Sequence, residues 1–349
     1  MVGSDLNAIA NAIVAPGKGI LAADESHPTI QKRFESIDVE STEDSRRAYR
    51  QMLFTTPGVS DFISGVILFD ETIRQKADDG TPLVQILTQQ GIIPGIKVDK
   101  GAKALAGAEG EKVTEGLDGL RDRLNEYYQL GARFTKWRAV ITIGDPDGIG
   151  IPSQYCIDAN AHALARFAAL SQEAGLVPIV EPEVLMDGDH TIERCFQVTE
   201  ATLHSVFNAL YEQRVVLEAS LLKPNMVLSG KDCPQQATPE EVAQATVRCL
   251  NRTVPAAVPG IVFLSGGQSN EIATANLNAM NAMDAAHPWQ LSFSYGRALQ
   301  GPPLKAWRGD VANVERAKQA FLHRAKCNGA ARYGKYTPAM EQEPVGTGA

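Results

Sequence analysis

The feature that most constrains the fold is a repeated alternation of short apolar runs with amphipathic segments. Eight strand-sized apolar runs occupy residues 19–24, 62–69, 92–99, 133–141, 177–183, 215–223, 260–267 and 289–295. The segments between them carry helical spacing; for example, Leu117, Leu120, Leu124 and Tyr127 recur at steps of three and four. Strands that alternate with helices are typical of parallel βα units, and eight such units predict an α/β fold, the closed (β/α)8 TIM barrel.

The number of domains follows from length and composition together. A chain of 349 residues can form one large barrel or two smaller domains. No linker-like change of composition divides it, so we predict a single barrel over residues 1–336. Helical spacing at residues 6–13 predicts an extra N-terminal helix. Residues 337–349 are rich in Pro, Gly and Glu, and we expect a flexible C-terminal tail there.

Charge and composition argue against several classes of protein. The net charge is −8, and no Lys/Arg tract with interleaved aromatic residues is present, so nucleic acid is not an expected partner. No apolar run approaches the length of a membrane span, and the first residues lack the pattern of a targeting peptide. The five cysteines are scattered and odd in number, which favours free thiols in a reducing compartment. We therefore expect a cytoplasmic protein without a membrane partner.

The sequence does not predict a metal centre. Its six histidines lie far apart, and we identify none at ligand spacing from a Cys or a carboxylate. Residues 145–148 (DPDG) resemble the start of a calcium loop but lack its third acidic position and its distal Glu. We therefore expect neither a metal nor another cofactor.

Ionisable or phosphate-binding groups lie at the carboxyl ends of most of the apolar runs. In a (β/α)8 barrel these ends form the active-site face. The groups are Asp24, Lys97 and Asp99, Lys136 and Arg138, Glu181 and Glu183, Lys223, Ser265, and Gly296 with Arg297. Residues two apart on a strand share a face, so the pair of cations and the pair of acids each point one way. Such a cluster at one end of an apolar wall indicates a catalytic site rather than packing.

Lys223 is the residue best suited to act as a Schiff-base nucleophile. It ends an apolar run, and Pro224 stops the strand directly after it. An amine nucleophile must be neutral, and both burial and a nearby cation disfavour the ammonium form. Lys136 is the alternative amine, but it lies beside Trp137 and Arg138 in a more cationic setting. We expect Lys136 to supply the repelling cation.

Carboxylates at other strand ends suit the remaining steps of a lysine-imine reaction. Imine formation requires proton transfers to expel water, and either Glu181 or Glu183 fits that role. Asp24 is placed to accept a hydroxyl proton when a C–C bond β to the imine breaks.

Two neighbouring strand ends predict a phosphate site. The turn at residues 264–269 (LSGGQS) offers backbone N–H groups and hydroxyls, with Ser265 and Gly266 at its start. Arg297 follows Gly296 at the next strand end and supplies a guanidinium suited to phosphate. A phosphate site after the seventh and eighth strands is common in this fold.

Seven motifs resemble, in order, those of the class I fructose-1,6-bisphosphate aldolases over nearly the whole chain. They are residues 19–26 (GILAADES), 95–101 (GIKVDKG), 136–138 (KWR), 179–183 (IVEPE), 221–226 (LLKPNM), 263–269 (FLSGGQS) and 293–300 (FSYGRALQ). The resemblance implies reversible cleavage of fructose 1,6-bisphosphate to dihydroxyacetone phosphate and glyceraldehyde 3-phosphate, in glycolysis and gluconeogenesis. It also implies a metal-independent enzyme that is a homotetramer.

The resemblance also implies residue roles. Lys223 would be the Schiff-base lysine, Glu181 the acid/base for imine formation, and Asp24 the group that handles the C4 hydroxyl. Lys136 would be the auxiliary cation supported by Glu183 and Arg138, while Ser265, Gly266, Gly296 and Arg297 would hold the C1 phosphate and Ser26 and Lys97 the C6 phosphate.

The chain departs from the family pattern in two places. His27-Pro28-Thr29 stands where the family usually has Thr-Gly-Ser, and proline removes the backbone freedom of glycine. We hypothesise an altered affinity for the C6 phosphate or an altered substrate preference. The last tyrosine is Tyr336, whereas relatives with a C-terminal tyrosine use it in proton exchange at the enamine carbon. Either another group performs that exchange or the step is slow.

Two rival functions are weaker. A retaining glycosidase would use Glu181 and Glu183 as its acid pair, but residues two apart on one strand do not lie on opposite sides of a sugar ring. That reaction would also leave the lysines unexplained. A catalytically silent phosphate-binding scaffold would not need the lysines and carboxylates of a lysine-imine reaction, yet all of these residues are present.

Overall fold

The computed structural model describes residues 2–145, 150–284 and 287–342, and within them eight parallel strands close into a barrel. The described residues form ten strands, eight in the barrel and two in a hairpin: β1 (Gly19–Ala23), β2 (Ile63–Leu68), β3 (Ile93–Lys97), β4 (Ala102–Ala104), β5 (Lys112–Thr114), β6 (Phe134–Ile141), β7 (Val177–Val184), β8 (Leu221–Leu222), β9 (Gly260–Phe263) and β10 (Gln290–Tyr295). The barrel order is β1-β2-β3-β6-β7-β8-β9-β10, and β10 pairs back to β1, while β4 and β5 form a separate antiparallel hairpin. The predicted (β/α)8 TIM barrel is confirmed.

Helices surround the barrel and occupy most of the connections between its strands. They are α1 (Val2–Ile13), α2 (His27–Glu35), α3 (Glu43–Phe54), α4 (Asp70–Arg74), α5 (Leu83–Gln89), α6 (Leu120–Gln129), α7 (Gln154–Glu173), α8 (Ile192–Glu212), α9 (Pro239–Thr253), α10 (Asn270–Ala282), α11 (Arg297–Trp307) and α12 (Val314–Ala331). Several begin at capping residues that the sequence displays; Thr238 and Glu241, for example, form a reciprocal capping box at the start of α9.

The predicted N-terminal helix, α1, packs against the interior of the barrel. Its Leu6, Ala10 and Ile13 join one apolar cluster with interior strand residues such as Ile20 and Phe134. A second, larger cluster fills the layer between the strands and the outer helices. Apolar packing therefore occupies the barrel interior, whereas the ionisable strand ends belong to neither cluster.

The strand predicted over residues 215–223 is shorter than expected, so that prediction was wrong in extent. Leu217–Ala219 form a 3-10 helix, and only Leu221–Leu222 are strand. The backbone of Val216 bonds the side-chain amide of Gln172 through both its N–H and its carbonyl, which holds this part of the run outside the barrel. The backbone N–H of Lys223 still donates to β7 at 2.8 Å, so Lys223 keeps its predicted place at the strand end.

Helix α2 changes the interpretation of the His27-Pro28 departure. Ser26 is the residue before the helix, and Pro28 lies in its first turn. Proline is suited to that position because its fixed φ matches the helix and its missing N–H has no intrahelical partner there. The segment is therefore a helix start rather than a loop that needs the freedom of glycine. His27 contacts Glu71 at 3.3 Å and the edge of Phe69.

The structure describes the predicted tail and the calcium-like segment only in part, and it also bears on the expected absence of a membrane span. The predicted tail begins with a 3-10 helix, Pro338–Gln342, whose Glu341 pairs with Arg324, while residues 343–349 lie outside the described residues. Of the calcium-like segment 145–148, only Asp145 is described. None of the described helices is long and apolar enough to cross a membrane.

Candidate active site

A cavity of about 900 Å³ opens at the carboxyl ends of the barrel strands. All twelve residues predicted as catalytic or phosphate-binding line it: Asp24, Ser26, Lys97, Lys136, Arg138, Glu181, Glu183, Lys223, Ser265, Gly266, Gly296 and Arg297. They come from seven of the eight barrel strands or from the residues directly after them, β2 being the exception. Because parallel strands present their carboxyl ends on one face, residues far apart in sequence meet in this cavity.

Glu181 lies between the two lysines at the base of the cavity. Its Oε1 is 3.2 Å from Lys223 Nζ, and its Oε2 is 3.2 Å from Lys136 Nζ. Lys136 Nζ also lies 2.6 Å from Asp24 Oδ2. Lys223 and Lys136 are 4% and 3% exposed, so both amines are held in a nearly water-free setting by carboxylates. Lys136 thus contacts two acids, and Lys223 contacts one of them.

The lysines determine the protonation of the two acids. Burial alone would raise the pKa of Asp24, but attraction to Lys136 and then Lys223 outweighs it and holds that pKa well below its usual range. Burial would likewise raise the pKa of Glu181, but attraction to the neighbouring cations, Lys136 first, outweighs burial and lowers that pKa. Both carboxylates are therefore ionised at neutral pH.

Lys136 is correspondingly held as a cation. Burial alone would lower its pKa, but the charges of Asp24, Glu181 and Asp99 raise it above the usual range for lysine. A permanently charged ammonium cannot act as a nucleophile. Its place in the site is that of a fixed positive charge next to two ionised acids.

Arg138 and Glu183 form a second ion pair on the adjoining wall. Arg138 Nε donates to Glu183 Oε2. Burial alone would lower the pKa of Arg138, but the negative charge of Glu183 outweighs burial and raises that pKa. The backbone N–H of Arg138 donates to Asp99 Oδ2 at 3.2 Å, and Asp99 Oδ1 accepts from Lys97 Nζ at 2.6 Å. As parity predicted, Lys136 and Arg138 both line the cavity, and so do Glu181 and Glu183.

One end of the cavity has the features of a phosphate site. Ser265 and Gly266 follow strand β9, and Gly296 immediately precedes helix α11, whose first residue is Arg297. A Cβ on Gly266 would lie 2.7 Å from Glu183 Oε1, so any larger residue would require either the turn or the Glu183 side chain to shift. Backbone N–H groups at a helix start together with a guanidinium are suited to a dianionic phosphate.

The start of helix α2 lines another part of the cavity. Ser26 and Thr29 place their hydroxyl oxygens 3.2 Å apart, and both residues line the cavity, as does Lys97. The hydroxyls and the lysine provide neutral donors and a cation for a second anionic group. Pro28 also lines this part of the wall.

Arg33 and Glu25 are site residues that the sequence analysis missed. Arg33 Nη1 lies 2.6 Å from Glu25 Oε1, both residues line the cavity, and Arg33 Nη2 lies near Gly296. Glu25 also accepts a hydrogen bond from Gln300 at 2.7 Å. Ser26 and Pro28 mark a helix start in the sequence, but that local signal does not show that the helix brings Arg33 to the site.

Comparison with known proteins agrees with this geometry. Residues 5–347 match the family model described as fructose-bisphosphate aldolase class-I. The chain is 63% identical to a probable fructose-bisphosphate aldolase class 1 of Xanthomonas campestris, with 94% of this chain and 97% of that protein covered. It is 58% identical to a cytosolic fructose-bisphosphate aldolase of Arabidopsis thaliana, covering 94% of this chain and 91% of that one.

A solved structure is similar over nearly its full length. The fructose-bisphosphate aldolase of Plasmodium falciparum, crystallised with TRAP and a small-molecule inhibitor, superposes with a TM-score of 0.94 at 52% identity, covering 96% of each chain. The barrel, its cavity and the relatives agree. The chain therefore belongs to the class I fructose-bisphosphate aldolases, a family of metal-independent carbon–carbon lyases.

Proposed function

We propose that this enzyme cleaves fructose 1,6-bisphosphate through a Schiff base on Lys223. The observation that carries the proposal is the unequal pairing of the two buried lysines. Lys136 lies within 3.2 Å of both Asp24 and Glu181 and stays charged, whereas the salt-bridge partner of Lys223 in the described part of the chain is Glu181. Of the two amines, Lys223 is the one that a single proton transfer to a neighbouring carboxylate would make nucleophilic.

Glu181 is the residue that we assign to the proton transfers of imine formation. Ionised in the free site, it accepts a proton from Lys223, and the neutral amine then attacks the C2 carbonyl to give a carbinolamine. Glu181 returns that proton to the C2 hydroxyl, which leaves as water, and the C2–N bond becomes the protonated imine. The 3.2 Å contact between Glu181 Oε1 and Lys223 Nζ supports this role over the alternative of Glu183, whose partner is Arg138.

Asp24 is suited to the cleavage step. Its lowered pKa keeps it ionised, so it can accept the proton of the C4 hydroxyl as the C3–C4 bond breaks. The electron pair of that bond moves to the imine, giving an enamine on Lys223 and releasing glyceraldehyde 3-phosphate. A proton is then added at C3 of the enamine, in net terms the one that Asp24 took from the C4 hydroxyl, so Asp24 is ionised again. Water hydrolyses the resulting imine, which releases dihydroxyacetone phosphate and regenerates the amine. The fixed charge of Lys136 holds Asp24 in place throughout.

The two phosphates of the substrate are assigned to different parts of the cavity. Ser265, Gly266, Gly296 and Arg297 bind the C1 phosphate, and Ser26 and Lys97 bind the C6 phosphate. Supporting this assignment, the first set combines a strand-end turn with a helix start, and the second combines a hydroxyl with a cation. The charged side chains that line the cavity favour a phosphorylated sugar over an apolar ligand.

The proposal includes a cytoplasmic homotetramer. Two Arabidopsis relatives are cytosolic aldolases, which supports the compartment, and the burial of all five cysteines as thiols is compatible with it. Sedimentation velocity of the purified chain tests the assembly. A species of four chains is expected, and a stable monomer or dimer at micromolar concentration would contradict this part.

Borohydride trapping tests the central assignment. The enzyme is incubated with dihydroxyacetone phosphate, reduced with borohydride, digested and mapped by mass spectrometry. We expect a stable adduct on the peptide that contains Lys223, and no adduct in a Lys223→Met variant. A Lys231→Met variant is the matched control, because Lys231 is a surface lysine paired with Asp187. Adduct on Lys136, or no adduct in the wild type, would overturn the proposal.

A further inference from the structure

We propose that His323, Cys327 and Glu341 form a binding site for a divalent transition-metal ion, with Zn²⁺ the best match. Within the described residues, one ligand atom from each of these side chains lies within 4.8 Å of the other two. None of the three lines the active-site cavity. The site therefore lies apart from the catalytic groups, and it joins helix α12 to the 3-10 helix Pro338–Gln342.

The spacing of the ligand atoms matches a metal site. His323 Nε2 lies 3.7 Å from Cys327 Sγ and 3.8 Å from Glu341 Oε2. Tetrahedral zinc with bonds of about 2.0–2.3 Å places its ligand atoms about 3.3–3.8 Å apart. The third pair, Cys327 Sγ and the Glu341 carboxylate, lies within 4.8 Å. A movement of about 1 Å would bring all three ligand atoms to tetrahedral spacing around an ion. His323 and Cys327 are one helical turn apart on α12, so the earlier interpretation that no histidine stands at ligand spacing from a cysteine was wrong for this pair.

The carboxylate of Glu341 is oriented by groups behind it. Tyr336 Oη donates to Glu341 Oε1 at 2.9 Å, and Arg324 Nη1 donates to the same oxygen. Oε1 is therefore turned toward these donors, and Oε2 faces His323. Hydrogen bonds that fix the direction of a ligand in this way are a general property of metal sites. This orientation is a second feature of the site, independent of the helical spacing.

The donor set determines the kind of ion. A thiol, an imidazole and a carboxylate together are typical of zinc, whereas magnesium and calcium require oxygen ligands alone. Binding displaces the Cys327 thiol proton to solvent, and the thiolate and the Glu341 carboxylate then neutralise the two charges of the ion. Three protein ligands leave one position for water.

A metal at this position would stabilise the C-terminal segment against the barrel. Arg324, which holds Glu341, also donates to the carbonyls of Ala298 and Asn270 at 3.3 and 3.0 Å. These carbonyls belong to the first turns of α11 and α10, near the proposed C1-phosphate site. The ion would therefore reinforce a contact that supports this part of the fold, without taking part in catalysis.

Metal titration of the full-length enzyme tests the site. The protein is stripped of metal with a chelator and titrated with Co²⁺, which reports thiolate coordination as a charge-transfer absorption band. We expect one Co²⁺ per chain, displaced by Zn²⁺. His323→Gln, Cys327→Ser and Glu341→Gln are each expected to weaken Zn²⁺ binding at least about tenfold. Cys249→Ser is the matched control, because Cys249 is as fully buried as Cys327 but lies on α9, and it should bind normally.

A second measurement tests the site even if one of the variants does not fold. Glu341 lies on the peripheral 3-10 helix and is partly exposed, so Glu341→Gln is expected to fold even if Cys327→Ser does not. With Zn²⁺ bound, carboxypeptidase digestion past Gln342 should be at least about threefold slower in the wild type but not in Glu341→Gln. Wild-type protein that binds no stoichiometric metal, or that binds it without a thiolate band, would overturn the proposal. Unchanged Zn²⁺ affinity in Glu341→Gln would also overturn it.

Discussion

Lys136 and Asp24 form a buried ion pair in which Nζ and Oδ2 are 2.6 Å apart. Lys136 belongs to β6, Asp24 follows β1, and two strands separate these in the barrel. Burial alone would lower the pKa of the lysine and raise that of the aspartate, yet their mutual attraction reverses both directions. Glu181 adds to the rise in the pKa of Lys136, and Lys223 adds to the fall in the pKa of Asp24. One permanent cation thereby keeps two carboxylates of the cavity ionised.

Removal of that cation should shift the pH profile. In Lys136→Met, Asp24 and Glu181 remain buried without their main attractive partner, so the pKa of each is expected to rise. A base with a raised pKa requires a higher pH to be ionised, so the acid limb of kcat/KM moves to higher pH. We also expect kcat at neutral pH to fall by about 10²-fold or more. Steady-state kinetics across pH provide the measurement, with Lys231→Met as control; an acid limb at its wild-type position would contradict the role of Lys136.

Substitution of the two glutamates distinguishes their roles. Glu181→Gln removes the proton acceptor 3.2 Å from Lys223, and we expect the rate of borohydride trapping and kcat to fall by about 10²–10⁴-fold. Glu183→Gln weakens the pair with Arg138 and should affect trapping far less. Rapid-quench trapping with dihydroxyacetone phosphate measures both. If Glu183→Gln slowed trapping more than Glu181→Gln, the assignment of acid/base would be reversed.

The close backbone approach at Gly266 should be sensitive to one methyl group. In Gly266→Ala the new Cβ would lie 2.7 Å from Glu183 Oε1, so either the turn or the glutamate must shift. We expect kcat/KM for the bisphosphate to fall about tenfold, which corresponds to about 1.4 kcal/mol. Gly150→Ala is the matched control, because no heavy atom lies within 4 Å of a Cβ there. Equal kinetics in the two variants would show that the turn tolerates the methyl group.

The His27-Pro28 pair should affect both substrate preference and stability. In the double variant His27→Thr/Pro28→Gly, the contact of His27 with Glu71 is lost and the first turn of α2 gains freedom. We expect the ratio of kcat/KM for the bisphosphate to that for fructose 1-phosphate to change. The free energy of unfolding should fall by about 0.4–1 kcal/mol from the proline alone. Unchanged relative kinetics on the two substrates would argue against a role of this pair in C6-phosphate binding.

Two truncations distinguish the roles of the tail. Deletion of residues 337–349 removes Glu341 and leaves buried Arg324 without its carboxylate, which should cost about 1–3 kcal/mol of stability. Deletion of residues 343–349 alone retains that pair and should keep stability. Urea unfolding measures both. To test whether either segment acts in catalysis, enamine proton exchange is measured as the loss of label from dihydroxyacetone phosphate. Wild-type exchange and turnover in both truncations would show that the tail has no catalytic role.

Local patterns in the sequence were enough to predict the barrel and most of its active site. Apolar runs that alternate with amphipathic segments require parallel strands, and parallel strands place all their carboxyl ends on one face. Every predicted site residue consequently lines one cavity. The prediction was weakest at Leu217–Ala219, an apolar segment that is not a strand. Gln172 accepts from the backbone N–H of Val216 and donates to the carbonyls of Val216 and Ala219, and these hydrogen bonds compete with barrel pairing.

The sequence by itself determined which groups meet at the barrel mouth, whereas only the tertiary structure decided which of them pair. Sequence parity showed that Lys136 faces the cavity but not that it binds Asp24, a contact made by closure of the barrel. Likewise, Arg33 reaches the site only because helix α2 folds back over the strand ends. The physical reason is range: periodicity and capping act over a few neighbouring residues, while ion pairs depend on how distant segments are brought together.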